Sequence, residues 1–60
     1  MKKYKEYTVT VEILRFDGKL DHTRMFPVKA EDAEEADAIV HNRLVFENEP
    51  RFRIVEVKEG

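Results

Sequence analysis

Two histidines are the first residues in this chain of 60 that could do chemistry, as metal ligands or as acid–base groups. Zinc sites need three or four ligands at characteristic spacings, and the chain has no cysteine to pair with His22 or His41. We therefore expect no metal and no cofactor. Both histidines are interpreted as solvated or strand-edge side chains.

An acidic run forms the second group. It comprises Glu31, Asp32, Glu34, Glu35 and Asp37. The run lacks the glycine and the ligand spacing of a calcium-binding loop. Asp32 and Glu35 have the spacing of a helix capping box, so the run predicts a solvated helix start. The alternative is an imitation of a phosphate backbone, which would suit an inhibitor that occupies a basic channel of a nucleic-acid enzyme.

The third group is the basic–aromatic cluster Arg51-Phe52-Arg53. Nucleic-acid binders set such clusters in a wide basic field, whereas this chain has a net charge of −2, so we expect no direct nucleic-acid binding. Arginine beside an aromatic ring is common among the anchors of protein interfaces. No serine or cysteine triad and no glycine-rich phosphate loop is evident, which predicts a noncatalytic protein.

Four elements position these groups. Period-two alternation predicts strands over residues 4–16, 19–29 and 51–58, and a period of 3.6 predicts a helix from Ala33 to Phe46. Asp17-Gly18 predicts a two-residue type I′ hairpin turn, in which Phe16 faces Lys19. The helix is expected to end at Asn48-Glu49-Pro50.

The hairpin register decides which side chains share a face. It pairs Val11 with Arg24, Val9 with Phe26 and Tyr7 with Val28. The predicted core of the hairpin is Tyr7, Val9, Val11, Ile13, Phe26 and Val28. The helix adds a stripe at Ala33, Ala36, Val40 and Leu44. Together these features predict a single α+β domain over residues 1–60, with ββαβ order and an antiparallel sheet in the order 2-1-3.

One helix covers only one face of such a sheet, so apolar side chains are left over. The uncovered face is expected to carry Tyr4, Thr8, Thr10, Glu12, Leu14, Phe16 and Met25. In strand three, either Phe52 and Ile54 point out while Val55 and Val57 point in, or the reverse. An apolar patch with a polar rim is typical of an interface. The charged edges of strands two and three are interpreted as protection against edge pairing, with strand addition by a partner as the alternative.

Length and composition restrict the class further. A chain this short and 40% charged has little material for a core. No segment has the length of a membrane span or the pattern of a signal peptide, so we expect a cytoplasmic protein that does not bind membranes, in the host cytoplasm if the gene belongs to a phage.

Two segments carry a resemblance to a known family. Phe26-Pro-Val-Lys-Ala-Glu-Asp-Ala-Glu-Glu-Ala, a charged helix and Glu49-Pro-Arg-Phe-Arg-Ile-Val-Glu-Val-Lys resemble the small RNA polymerase inhibitors of short-tailed coliphages. The resemblance implies a three-stranded antiparallel sheet with one helix. It also implies that arginines of strand three contact the polymerase. The matching positions here are Glu56 and Lys58, and Arg51 and Arg53 precede them. The order of elements is similar to that of phage uracil-DNA glycosylase inhibitors, which act by acidic DNA mimicry.

The sequence thus predicts a small protein-binding module, in the manner of a phage inhibitor of a host protein such as bacterial RNA polymerase. The alternatives are a structural homo-oligomer, such as a homodimer, that buries its open sheet face and an acidic DNA mimic that inhibits a nucleic-acid enzyme. The predicted partner-binding residues are Arg51, Phe52, Arg53, Ile54, Glu56, Lys58, Glu31, Glu34 and Glu35.

Overall fold

The computed structural model describes residues 3–49 and 51–60. Its elements are β1 (Lys5–Leu14), β2 (Leu20–Ala30), α1 (Ala33–Phe46) and β3 (Phe52–Glu59). The strands form an antiparallel sheet in the order β2-β1-β3, with α1 on one face. This confirms the predicted ββαβ fold, and the helix has the predicted bounds.

The body of the hairpin has the predicted register. Tyr7 lies opposite Val28, Val9 opposite Phe26, and this pairing continues to Ile13 and His22. Directly opposed residues share a face. The odd-numbered residues of β1 therefore line the helix side, and Tyr7, Val9, Val11 and Ile13 are buried there.

The turn of the hairpin differs from the prediction. Gly18 N donates to Arg15 O at 2.9 Å and Arg15 N donates to Lys19 O at 2.6 Å, which closes a three-residue loop over residues 16–18. Gly18 has a positive φ of 89° but Asp17 does not, whereas a type I′ turn needs both. The predicted Phe16–Lys19 pair is therefore wrong. Leu14 pairs with Leu20, and a bulge at Asp21 restores the predicted register.

Strand β3 contains a second irregularity. Ile54 lies opposite Val11 and Glu56 lies opposite Thr10, so Val55 is an extra residue without a partner in β1. A bulge of this kind shifts the alternation of the strand by one position. Both predicted arrangements of β3 are therefore wrong. The residues that pack against the core cluster are Phe52, Ile54 and Val57, while Val55 is 46% exposed.

The core joins the odd-numbered residues of β1 to one stripe of α1. The buried hydrophobic residues are Tyr7, Val9, Val11, Ile13, Phe26, Ala30, Ala36, Val40 and Leu44. Val28 is half-buried and packs against this cluster. Two details differ from the predicted core, because Ala33 in the first turn is exposed and Ala30 at the end of β2 is fully buried.

Local hydrogen bonds fix both ends of α1. Asp32 is the N-cap, and its Oδ1 accepts a hydrogen bond of 2.8 Å from Glu35 N. At the other end Asn48 takes a left-handed φ of 61°, Asn48 N donates to Val45 O, and Glu49 N donates to Leu44 O. This is a Schellman motif, in which asparagine takes the place of the usual glycine. Pro50, also predicted to end the helix, lies outside the described residues.

Pro27 lies on the outer edge of β2, where it provides no backbone N–H donor. The even-numbered residues of β1 bond to β3, since Leu14 N donates to Arg51 O and Gly60 N donates to Glu6 O. The pair Thr8–Pro27 is therefore not hydrogen-bonded, and the backbone of Pro27 faces away from β1. Pro27 removes one donor from that free edge, which disfavours the addition of another strand.

Candidate functional site

The face of the sheet opposite α1 is the first candidate surface. Its central row is Thr8, Thr10 and Glu12. Pairing places Pro27, Met25 and Thr23 beside this row on β2, and Lys58, Glu56 and Arg53 beside it on β3. We call these nine residues the open face, because no element described in residues 3–49 and 51–60 covers them.

Two charges of the open face have no partner among residues 3–49 and 51–60. Arg53 Nε donates to Glu12 Oε1 at 3.1 Å, and Arg53 Nη2 donates to the same oxygen, so this arginine is held across the strands. Glu56 and Lys58 are exposed, and neither forms an ion pair or a side-chain hydrogen bond among the described residues. They are the charges of the face that are free to meet a partner.

Two predicted contact residues do not belong to the open face. Phe52 and Ile54 are half-buried on the helix side, where they pack against the core. The Phe52 ring meets the His41 ring edge-on, with centroids 5.3 Å apart and an interplanar angle of 64°. The bulge at Val55 is the cause, because it aligns Phe52 and Ile54 with Val57 on one face.

The hairpin loop forms a second candidate surface, the hairpin tip, which we define as Leu14, Phe16, Leu20 and Arg51. Leu14 pairs with Leu20, and Leu14 N donates to Arg51 O at 3.0 Å. The Arg51 guanidinium lies over the Phe16 ring, 5.6 Å from its centroid. The Phe16 side chain is otherwise open to solvent, since the residue is 91% exposed.

The predicted site includes Arg51 but misses Phe16 as its neighbour. The sequence pattern treats Phe16 as the last residue of a strand, whereas the structure puts it inside the loop. A large aromatic residue next to Asp-Gly is the signal that could have identified it, because loop residues are more often small or polar.

The acidic helix start is largely explained by helix formation. Asp32 caps the helix, and Glu35 Oε1 accepts a hydrogen bond of 3.3 Å from Glu31 N. Glu34 is exposed in the first turn, where the positive end of the helix dipole favours an acidic side chain. The predicted residues Glu31, Glu34 and Glu35 thus lie close together, at the end of the molecule opposite the hairpin tip.

A charged cluster ties the end of α1 to β2. Glu47 accepts hydrogen bonds from Arg24 Nη1 at 3.2 Å and from Arg43 Nε at 3.1 Å. Arg24 also lies over the Phe26 ring, with its guanidinium carbon 4.6 Å from the centroid. The hydrogen bond from Arg24, followed by that from Arg43, holds the pKa of the Glu47 carboxyl below its ordinary value.

The two histidines contact different residues. His22 is near Asp21, with Nδ1 3.5 Å from Oδ1, and His41 meets Phe52. No group of three or more potential metal ligands occurs in residues 3–49 and 51–60. Within the same residues, no helix is long and apolar enough to cross a membrane.

Comparisons with known protein families, with curated proteins and with solved structures give no match to this chain.

Proposed function

We propose that this protein is a noncatalytic protein-binding module that binds its partner through the open face. In its specific form, the proposal is phage-type inhibition of a host enzyme such as bacterial RNA polymerase. The observation that carries the proposal is the exposed pair Glu56 and Lys58, which have no partner among the described residues and stand on a face that no described element covers.

The composition of the open face favours a protein as the partner. Met25 is 64% exposed on β2, threonines occupy the centre, and charges of both signs lie along β3. A mixture of apolar, polar and charged side chains is typical of non-obligate protein interfaces. A nucleic acid would instead favour an excess of lysine and arginine, because phosphate contacts dominate its binding.

RNA polymerase is the first partner to test because of the resemblance carried by β3. The positions matched to polymerase-contacting arginines, Glu56 and Lys58, both lie on the open face, one row and two rows away from Arg53, respectively. Lys58 keeps the positive charge of its counterpart, and Glu56 reverses it. We therefore expect Lys58 to contribute more to binding than Glu56.

Binding of purified bacterial RNA polymerase core enzyme to the immobilised protein, measured by biolayer interferometry, tests the proposal. Lys58→Glu is expected to weaken binding at least tenfold, which corresponds to about 1.4 kcal/mol. Lys19→Glu, the same charge reversal at an exposed lysine beside the hairpin loop and outside the open face, is the control and should bind as the parent does. Circular dichroism verifies that each variant is folded.

Three outcomes would contradict the proposal or part of it. If the parent protein does not bind, RNA polymerase is excluded as the partner. If Lys58→Glu binds normally while reversal of Glu31, Glu34 and Glu35 abolishes binding, the acidic helix start is the contact surface. If Met25, Arg53 and Glu56 in the middle of the open face are protected from hydrogen exchange in a homodimer without any partner, the face is a self-association surface.

A further inference from the structure

The hairpin tip presents an aromatic side chain that the fold itself does not use. Phe16 is 91% exposed, and its ring is flanked by the Arg51 guanidinium on one side and by Asp17 as the next residue of the loop. A phenyl ring gains free energy when it leaves water, and arginine beside it is a common companion at interfaces. The exposed Phe16 ring is therefore suited to insert into a concave binding site on another molecule.

A concave site of suitable size lies at the opposite end of the sheet. We call it the end depression; it has a volume of about 290 Å³ and is lined by Glu6, Tyr7, Thr8, Pro27, Val28, Lys29 and Gly60. A cavity of about 150 Å³ already accommodates benzene, so a phenyl ring fits here. Glu6 and Lys29 lie opposite each other in the register, and neither forms an ion pair among the described residues.

The charges of the two features are complementary. The tip brings one cation beside its ring, Arg51, and the next residue of the loop, Asp17, adds an anion whose Oδ1 accepts a hydrogen bond of 3.0 Å from Lys19 N. The end depression brings Glu6 and Lys29. With the Phe16 ring in the depression, Arg51 can meet Glu6 while Asp17 meets Lys29. Opposite charges on both sides of an apolar contact fix its orientation.

A molecule cannot place its tip in its own depression. Thr8 and Phe16 are separated by eight residues along one extended strand, or roughly 26 Å at about 3.3 Å per residue. The molecule is elongated, with extents of 45 × 21 × 13 Å. We propose that the hairpin tip of one copy docks in the end depression of a second copy.

Such a contact joins two different surfaces, so it leaves one free tip and one free depression at the ends of every assembly. Association of this heterologous type grows as an open chain unless its rotation closes a ring. One aromatic anchor makes a contact well below the roughly 1,200 Å² of a stable interface, so it will be weak and will depend on concentration.

Sedimentation velocity with the full chain tests the proposal. The weight-average mass of the parent protein should rise between about 10 µM and about 1 mM, the range in which weak complexes form. Phe16→Ala should abolish this rise. Phe46→Ala is the matched control, because Phe46 is 87% exposed at the end of α1 but belongs to neither the tip nor the end depression, and it should behave as the parent does.

A mixing experiment distinguishes head-to-tail docking from other forms of association. Thr8→Trp fills the end depression but keeps the tip, whereas Phe16→Ala removes the tip but keeps the depression. Each variant alone should remain monomeric, and an equimolar mixture should form a 1:1 dimer that does not grow further. If circular dichroism shows that Thr8→Trp does not fold, the experiment uses Glu6→Arg and Arg51→Glu instead. Each of these variants alone should lose association, because like charges meet at the contact. Their mixture should associate, because the glutamate of one variant meets the arginine of the other.

The proposal is overturned if the parent protein stays monomeric up to about 1 mM, if Phe16→Ala associates as the parent does, or if the mixtures remain monomeric. Thr8 and Pro27 belong both to the end depression and to the open face, so docking of a second copy covers one end of that face. The two proposals still fail separately, because these measurements contain no RNA polymerase and depend on Phe16, whereas the interferometry depends on Lys58.

Discussion

At the scale of single residues, Val40 is the most direct test of the core. It is fully buried in the middle of α1, so an aspartate there would place an unpaired charge among apolar side chains. Burial of such a charge destabilises by several kcal/mol, which is comparable to the total stability of about 5 kcal/mol expected for a domain of this size.

We predict that Val40→Asp unfolds the protein. Val45→Asp is the matched control, with the same change on the same helix at a residue that is 56% exposed, and it should stay folded with a small loss of stability. Thermal denaturation followed by circular dichroism compares the two variants. A folded Val40→Asp protein would contradict the assignment of the buried stripe.

Glu47 gives a second prediction at the residue scale, concerning pH. Its pKa is lowered in the folded protein, so its contribution to stability is present above the ordinary value of 4.5 and is lost as pH falls through the folded pKa. The free energy of unfolding should therefore decrease with acidification in this range. The decrease should be smaller in Glu47→Gln, which cannot titrate.

Urea denaturation at several pH values between 3 and 7 measures this difference. An identical pH dependence in the parent and in Glu47→Gln would mean that the hydrogen bonds from Arg24 and Arg43 do not stabilise the folded state.

At the scale of the elements, β3 owes its arrangement to one extra residue. Phe52, Ile54 and Val57 are spaced by two and then by three positions, so a regular strand could not place all three on one face. The bulge at Val55 resolves this conflict, because it lets all three pack against the core while Arg53, Glu56 and Lys58 stay on the open face.

We predict that deletion of Val55 leaves the protein folded, because every other pair between β1 and β3 can form as before. Deletion of Arg53 is the control, and it should be more destabilising, since it moves Phe52 out of register with Ile13. Melting temperatures and backbone contacts from NMR measure the effects. Equal melting temperatures for the two deletions would contradict the assigned register.

At the scale of the whole molecule, both strand pairs and the helix share a single core. The buried side chains of β1, β2 and α1 form one cluster, and β3 adds its half-buried residues to it. A small domain with one core is expected to unfold in one cooperative step. The ion-paired end of α1 belongs to the same unit, because Arg24 on β2 holds Glu47.

We therefore predict that all probes report the same unfolding transition. Far-ultraviolet circular dichroism follows α1, near-ultraviolet circular dichroism follows the buried ring of Tyr7, and the two curves in urea should coincide. As a control, Tyr4→Phe removes the exposed tyrosine at 59% exposure and should leave the midpoint unchanged. Separate midpoints would mean that α1 or the hairpin unfolds independently.

The candidate site was predictable only in part. Arg53, Glu56 and Lys58 lie on a common face in the structure, and Glu31, Glu34 and Glu35 gather at the start of α1. Phe52 and Ile54 are on the other face, since their orientation depends on the bulge in β3. That Phe16 points into solvent beside Arg51 also depends on a loop longer by one residue than the sequence indicated.

The sequence by itself determined the order of the elements, the bounds of α1, its Asp32 cap and the register in the body of the hairpin. These features follow from local periodicity and from residues with strong backbone preferences, which act over a few positions. Only the tertiary structure decided the turn type, the bulge at Asp21 and the faces of β3. The reason is physical: a bulge forms where packing of distant apolar residues against a shared core outweighs regular pairing, and no local pattern records that balance.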